Sequence, residues 1–75
     1  MSEAVTFAQA RDITLAYYIN RRDGLTLPFR DMPFKKVENV TLSINEVIAQ
    51  IESNTELGQW LVAEYASGMG WIISG

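Results

Sequence analysis

Ser43-Ile44-Asn45-Glu46-Val47-Ile48-Ala49-Gln50-Ile51-Glu52 is the stretch that anchors any reading of this 75-residue chain. It opens with a capping box. The Ser43 hydroxyl can accept from a free helix amide, and Glu46 can reach back to the Ser43 amide. Ile44, Val47, Ile48 and Ile51 then recur at i, i+3, i+4 and i+7, while Asn45, Gln50 and Glu52 face the other way. That is the apolar stripe of an amphipathic helix, predicted over residues 44–53.

Ser53-Asn54-Thr55 breaks the pattern. A single long helix is disfavoured, because continuing the heptad would place Asn54 and Gly58 in the seam. A further helix is predicted over about 56–66, with Gly68 as its stop. Leu57, Trp60, Leu61 and Tyr65 share one of its faces, and Val62 and Ala66 lie on another. Its apolar surface is therefore wider than one stripe.

Toward the N-terminus, Thr6-Phe7-Ala8-Gln9 is another capping box. It predicts a helix over about 7–22 with Phe7, Ala10, Ile13, Thr14, Tyr17 and Tyr18 on one face. Arg21 and Arg22 suit its C-terminal dipole, and Gly24 suits a left-handed stop. A strand competes for the same residues, since Ile13, Leu15, Tyr17 and Ile19 alternate. The signals at both ends favour the helix.

Between these helices the pattern is that of a hairpin. Leu25 to Phe29 alternates but contains Pro28, which confines it to a sheet edge. Asp31-Met32-Pro33 reads as a turn. Lys36 to Leu42 slips its alternation between Val37 and Val40, as a bulged strand would. The tail, Met69-Gly70-Trp71-Ile72-Ile73-Ser74-Gly75, is apolar between glycines. It is either a last strand joining the hairpin or an apolar tag that docks on something. The expected fold is thus α+β in one small domain: helix, β-hairpin, two helices and, on the first reading of the tail, a short C-terminal strand.

Composition narrows the function. The chain has no histidine and no cysteine. The usual neutral-pH base, the commonest metal ligand and the thiol nucleophile are all missing. The glutamates read as solvated helix faces, and Ser67-Gly68-Met69-Gly70 has neither a base nor a following helix or lysine. No catalytic residue, cofactor site or metal site is expected. The first twelve residues lack the apolar core of a signal peptide, and no apolar run reaches the roughly 20 residues of a membrane span. A cytoplasmic location and no membrane partner are the resulting expectations.

The charges are segregated. Residues 1–36 hold six basic and four acidic residues, a balance of +2; residues 37–75 hold five glutamates and no base, a balance of −5. Basic residues interleaved with Tyr17, Tyr18, Phe29 and Phe34 could suit a single-stranded nucleic acid. The net charge of −3 disfavours that reading.

Another protein is the favoured partner. Trp60 and Trp71 with three tyrosines are more large rings than a core of this size easily hides, and such rings anchor interfaces. The expected function is a non-enzymatic interaction module, a small acidic adaptor or inhibitor that binds a larger protein. Its expected contact is Trp60, Tyr65, Trp71 and Ile72, rimmed by Glu56 and Glu64. The alternative is a structural subunit that assembles with itself, for example as a homodimer, its basic half meeting the acidic half of the next copy.

Overall fold

The computed structural model describes residues 3–74. In chain order it contains β1 (Glu3–Thr6), α1 (Phe7–Asp23), a 3-10 segment (Leu27–Asp31), β2 (Lys35–Val37), β3 (Val40–Leu42), α2 (Ile44–Glu52), α3 (Glu56–Met69) and β4 (Trp71–Ser74). This is an α+β fold. Three helices are joined to an antiparallel hairpin, β2–β3, and a terminal strand is present as well.

The helix starts lie where the caps place them. Both capping boxes are complete: the Gln9 amide donates to the Thr6 hydroxyl, and the Glu46 amide to the Ser43 hydroxyl. The N-cap amides of Thr6 and Ser43 donate back to the Gln9 and Glu46 side chains. All four stripe residues of α2 are buried, with Ile44, Val47 and Ile51 wholly sealed from solvent. Against them lie Ala10, Thr14 and Tyr18 of α1, Leu61 and Val62 of α3, and Val37 and Leu42 of the hairpin. Thr14 is fully buried without a stranded hydroxyl, because its Oγ1 donates to the Ala10 carbonyl one turn back at 2.6 Å.

The α2–α3 corner is tight. Asn54 takes the left-handed conformation at φ 51°, and Thr55 caps α3 by accepting from the Gly58 amide. The same Thr55 hydroxyl donates to the Gln50 side-chain oxygen at 2.6 Å. Gly58 is buried where α3 crosses the end of α2, and a Cβ there would overlap the Gln50 carbonyl group. The residue that argued against one long helix is the one that lets two helices touch.

Arg11 ties α1 to the far end of α2. Its Nε donates to the Ile51 carbonyl at 3.3 Å and its Nη2 to the Glu52 carbonyl at 3.5 Å. The last turn of α2 has no basic residue of its own. Arg11 therefore supplies the positive charge that unsatisfied carbonyls at a helix end attract.

Several expectations are corrected. Leu25–Phe29 is not an edge strand. Pro28 sits in the first turn of a 3-10 segment, where its missing amide and fixed φ cost nothing. The hairpin is narrower than residues 25–43, and residues 36–42 contain no bulged strand. Two three-residue strands meet across the two-residue turn Glu38-Asn39, with Val37 opposite Val40. The slip in alternation was the turn itself. Gly24 is right-handed at φ −81°, and α1 ends on bifurcated bonds from its amide instead. Helix α3 runs past Gly68 to Met69, and the left-handed stop is Gly70 at φ 77°. On α1 the buried face is rotated: Ile13 and Tyr17 are exposed, while Leu15 and Ile19 pack on the core.

The tail is a strand, but it does not join the hairpin. It pairs in parallel with β1, Val5 opposite Ile73, so the first and last described strands lie side by side. Two substitutions test the helical scaffold. Gly58→Ala is expected to lower unfolding free energy in urea by about 1–3 kcal/mol, through overpacking of the corner. Arg11→Met is expected to cost about 1 kcal/mol, because it removes the charged donor that Arg11 gives the Ile51 and Glu52 carbonyls.

Candidate interaction surface

The rim of the molecule where α3 begins holds an open groove of about 320 Å³, lined by Val37, Glu38, Val40, Glu56, Leu57 and Trp60. The hairpin tip forms one wall and the first turns of α3 the other. Glu56 and Trp60 stand four residues apart, so both rise on one side of the helix. Trp60 is 43% exposed and Val40 47%. Two carboxylates lie in the lining and no basic side chain does.

Glu38 is held at φ 54°, at the first position of the hairpin turn. Both hairpin turn types that fit strand twist need a positive φ there, and glycine or asparagine adopts it most easily. A glutamate in that position carries backbone strain into the wall of the groove.

The six residues expected to form one contact fall into separate places. Glu56 and Trp60 line the groove. Glu64, one turn further along α3, is engaged by the Lys35 ammonium of β2. Tyr65 and Trp71 stack edge-to-face at 5.7 Å between ring centroids. Ile72 is 58% exposed on the outer side of β4, whereas Trp71 and Ile73 on the same strand pack toward the core.

Tyr65 and Trp71 belong to a longer run of rings. Tyr65 meets Tyr17 at 5.1 Å, Tyr17 meets Tyr18 at 5.2 Å, and Tyr18 meets Phe34 at 6.2 Å. Five rings thus cover α1, α3, β4 and the approach to the hairpin. Much of the aromatic surface that the sequence leaves unassigned is satisfied internally this way. Trp60 is not in that chain.

Val37, Val40, Glu38 and Leu57 were not among the expected contact residues. One signal for them was available. A two-residue turn at Glu38-Asn39 makes Val37 and Val40 direct neighbours, which projects a valine pair at the hairpin tip.

Two groups titrate away from their ordinary values. The Tyr18 phenol is pushed up from 10.0, chiefly by burial, which disfavours the phenolate. The Lys35 ammonium is raised from 10.5, chiefly by its hydrogen bond to Glu64. Neither value bears on chemistry near neutral pH. Among the described residues no three acidic side chains gather as a metal site would require, and no helix is long and apolar enough to cross a membrane. No family model, curated relative or solved structure matches the chain.

Both raised groups hold their proton more tightly in the folded state than in the unfolded one. The stability each contributes is complete below its unfolded value and is lost as pH rises through the folded one. Unfolding free energy should therefore decline above about pH 10, where both groups begin to titrate. Urea titrations between pH 8 and 11 check this. Lys35→Met and Tyr18→Phe should each flatten the decline, and an unchanged slope in both would refute the assignment.

Proposed function

We propose that this chain is a non-enzymatic interaction module that binds a larger protein through the groove between the hairpin tip and α3. One observation carries the reading. Trp60, the tryptophan outside the aromatic run, stands half-exposed in a groove walled by valines and glutamates. Tryptophan is among the residues enriched as interface anchors. An apolar floor with charged residues at its edge is the usual anatomy of a contact patch.

The strained Glu38 supports the same reading. A residue that folds less easily than glycine or asparagine holds a carboxylate at the groove. Glu38 and Glu56 favour a partner whose contact surface is basic, which the chain's net charge of −3 also favours. An acidic adaptor or inhibitor answers this description.

Self-assembly is the second reading, and a distinct feature favours it. Leu27 and Phe29 of the 3-10 segment and Met32 just after it are at or above half exposure, with Leu27 at 72%. They lie in the basic half of the sequence. A copy that inserted this segment into the acidic groove of the next would form an open head-to-tail series.

The tests separate these readings. Trp71 is half-buried against the core, so its substitution would mix folding with binding. Trp60→Ala avoids this and should keep the thermal midpoint within a few degrees while abolishing partner capture from the native cell. Glu56→Lys should weaken capture of the same protein. Capture that is indifferent to both changes would exclude the groove. Sedimentation across a salt series addresses the second reading, and a chain monomeric at high concentration and low salt excludes it.

A further inference from the structure

The groove beside Trp60 constrains what can fill it. Its volume of about 320 Å³ lies at the lower end of the range for small-molecule pockets, so it suits one long side chain better than a large ligand. Buried Val37, half-buried Leu57 and exposed Val40 and Trp60 supply its apolar wall. Glu38 and Glu56 are both exposed. Among the described residues the ion pairs are Arg22–Asp23 and Lys35–Glu64, so neither groove carboxylate is matched by a cation of this chain.

A second groove, about 340 Å³, is lined by Ala4, Val5, Gln9, Asp12 and Ile13. It is of similar size but holds one carboxylate and no aromatic ring, so volume does not set the Trp60 groove apart. The juxtaposition does: an exposed indole, aliphatic walls and two unmatched carboxylates. These make different demands on an occupant. The walls favour a hydrocarbon stem and the carboxylates a positive head. The indole accepts either, since tryptophan offers the best face for a cation. A side chain built as an apolar stem ending in a cation meets all three demands. The start of α3 opposes a cation, because Glu56 is the first residue of that helix. A helix N-terminus carries roughly half a positive charge, which two carboxylates outweigh.

We propose that the Trp60 groove is a receptor for a single arginine side chain of the partner protein. The inference rests on the reading of this groove as the contact site, and it names what enters. The methylenes of that arginine lie along Val40 and Leu57, and its guanidinium meets Trp60 and the two carboxylates. Arginine fits better than lysine for three reasons. Its planar fork carries five N–H donors, enough to serve two carboxylates at once. Its flat face stacks on an indole, and it is more weakly hydrated than an ammonium, so leaving water costs it less. The chain's own Arg11 and Arg30 donate to backbone carbonyls and Arg22 faces Asp23, which leaves the entering arginine to another protein.

The test titrates the full chain with N-acetylarginine amide, whose one charge is its guanidinium, and follows the indole N–H signals by NMR. The Trp60 signal, identified by its loss in Trp60→Phe, should shift saturably with half-saturation at or below about 10 mM, while the Trp71 signal stays in place. N-acetylcitrulline amide, of the same length without the charge, should bind at least about tenfold more weakly, and N-acetyllysine amide about threefold more weakly. Glu56→Gln and Glu38→Gly should each weaken arginine binding at least about threefold. The glycine also relieves the strain at φ 54°, so binding lost there is not a damaged hairpin. Equal affinity for the citrulline or lysine compound, or indifference to both carboxylate substitutions, overturns the inference. No saturable shift, with partner capture that still needs Trp60, overturns the arginine and leaves the contact site standing. No shift, with capture indifferent to Trp60, removes both.

Discussion

Helix α2 is the shortest of the three helices, yet α1, α3, the hairpin and the 3-10 segment all rest on it. Its stripe of Ile44, Val47, Ile48 and Ile51 is met by α1 on one side, by α3 on another and by the hairpin and the 3-10 segment at its start. Three devices set how closely the neighbours approach. Small residues, Ala10 and Thr14, present α1 to it with almost no intervening bulk. Gly58 lets α3 cross at backbone contact. Arg11 and the Thr55 hydroxyl add side-chain donors to the Ile51 and Gln50 carbonyls, which also accept from the Asn54 and Thr55 amides. A longer side chain at any of these places would push a helix outward and loosen the whole core, because a domain this small has no second core to compensate.

The close approach has a consequence for the rings. With small residues used on the inner faces, the large ones are displaced to the flanks. Four edge-to-face or tilted contacts join Phe34, Tyr18, Tyr17, Tyr65 and Trp71 into a sheath over one side of the molecule. Such contacts stabilise by about 0.5–1.5 kcal/mol each beyond area burial. They explain how a chain with so many aromatics can fold without hiding them all. They also make the exposure of Trp60 informative, since Tyr65, the other ring on α3, has two ring partners and Trp60 is in none of these contacts.

How much of this was legible depended on the range of the interaction. The three helices could be read because caps and i, i+3, i+4 spacing are local: Ser43 and Glu46 speak to each other across three residues. The rotation of α1 could not, since Ile13 and Tyr17 are as apolar as Leu15 and Ile19. Only the position of α2 decides between them. Pro28 was ambiguous because one property, a missing amide, suits both an edge strand and the start of a 3-10 turn. Strand β1 left no signal. It has four residues, and its partner β4 lies at the far end of the sequence, with Val5 opposite Ile73. For the same reason the tail could be read as a strand but not assigned its neighbour. The contact residues scattered because Glu56, Trp60 and Tyr65 look equivalent on a helix until the hairpin tip takes its place beside two of them.

The charge segregation acquires a different meaning once the fold is known. The acidic half does not simply neutralise the basic half. The cations with named partners are spent on structure: Arg11 on the end of α2, Lys35 on Glu64, Arg30 on the Leu25 carbonyl. Glu38 and Glu56 stand in one open groove and Asp12 in another, with no basic residue in either lining. Uncompensated carboxylates beside apolar surface bring little to folding, since exposed charges gain little from one another in water. Under the proposed function their contribution would be to encounter, raising the rate at which a basic surface arrives. Three of the six cations thus serve the scaffold, whereas three of the nine carboxylates stand in the open grooves.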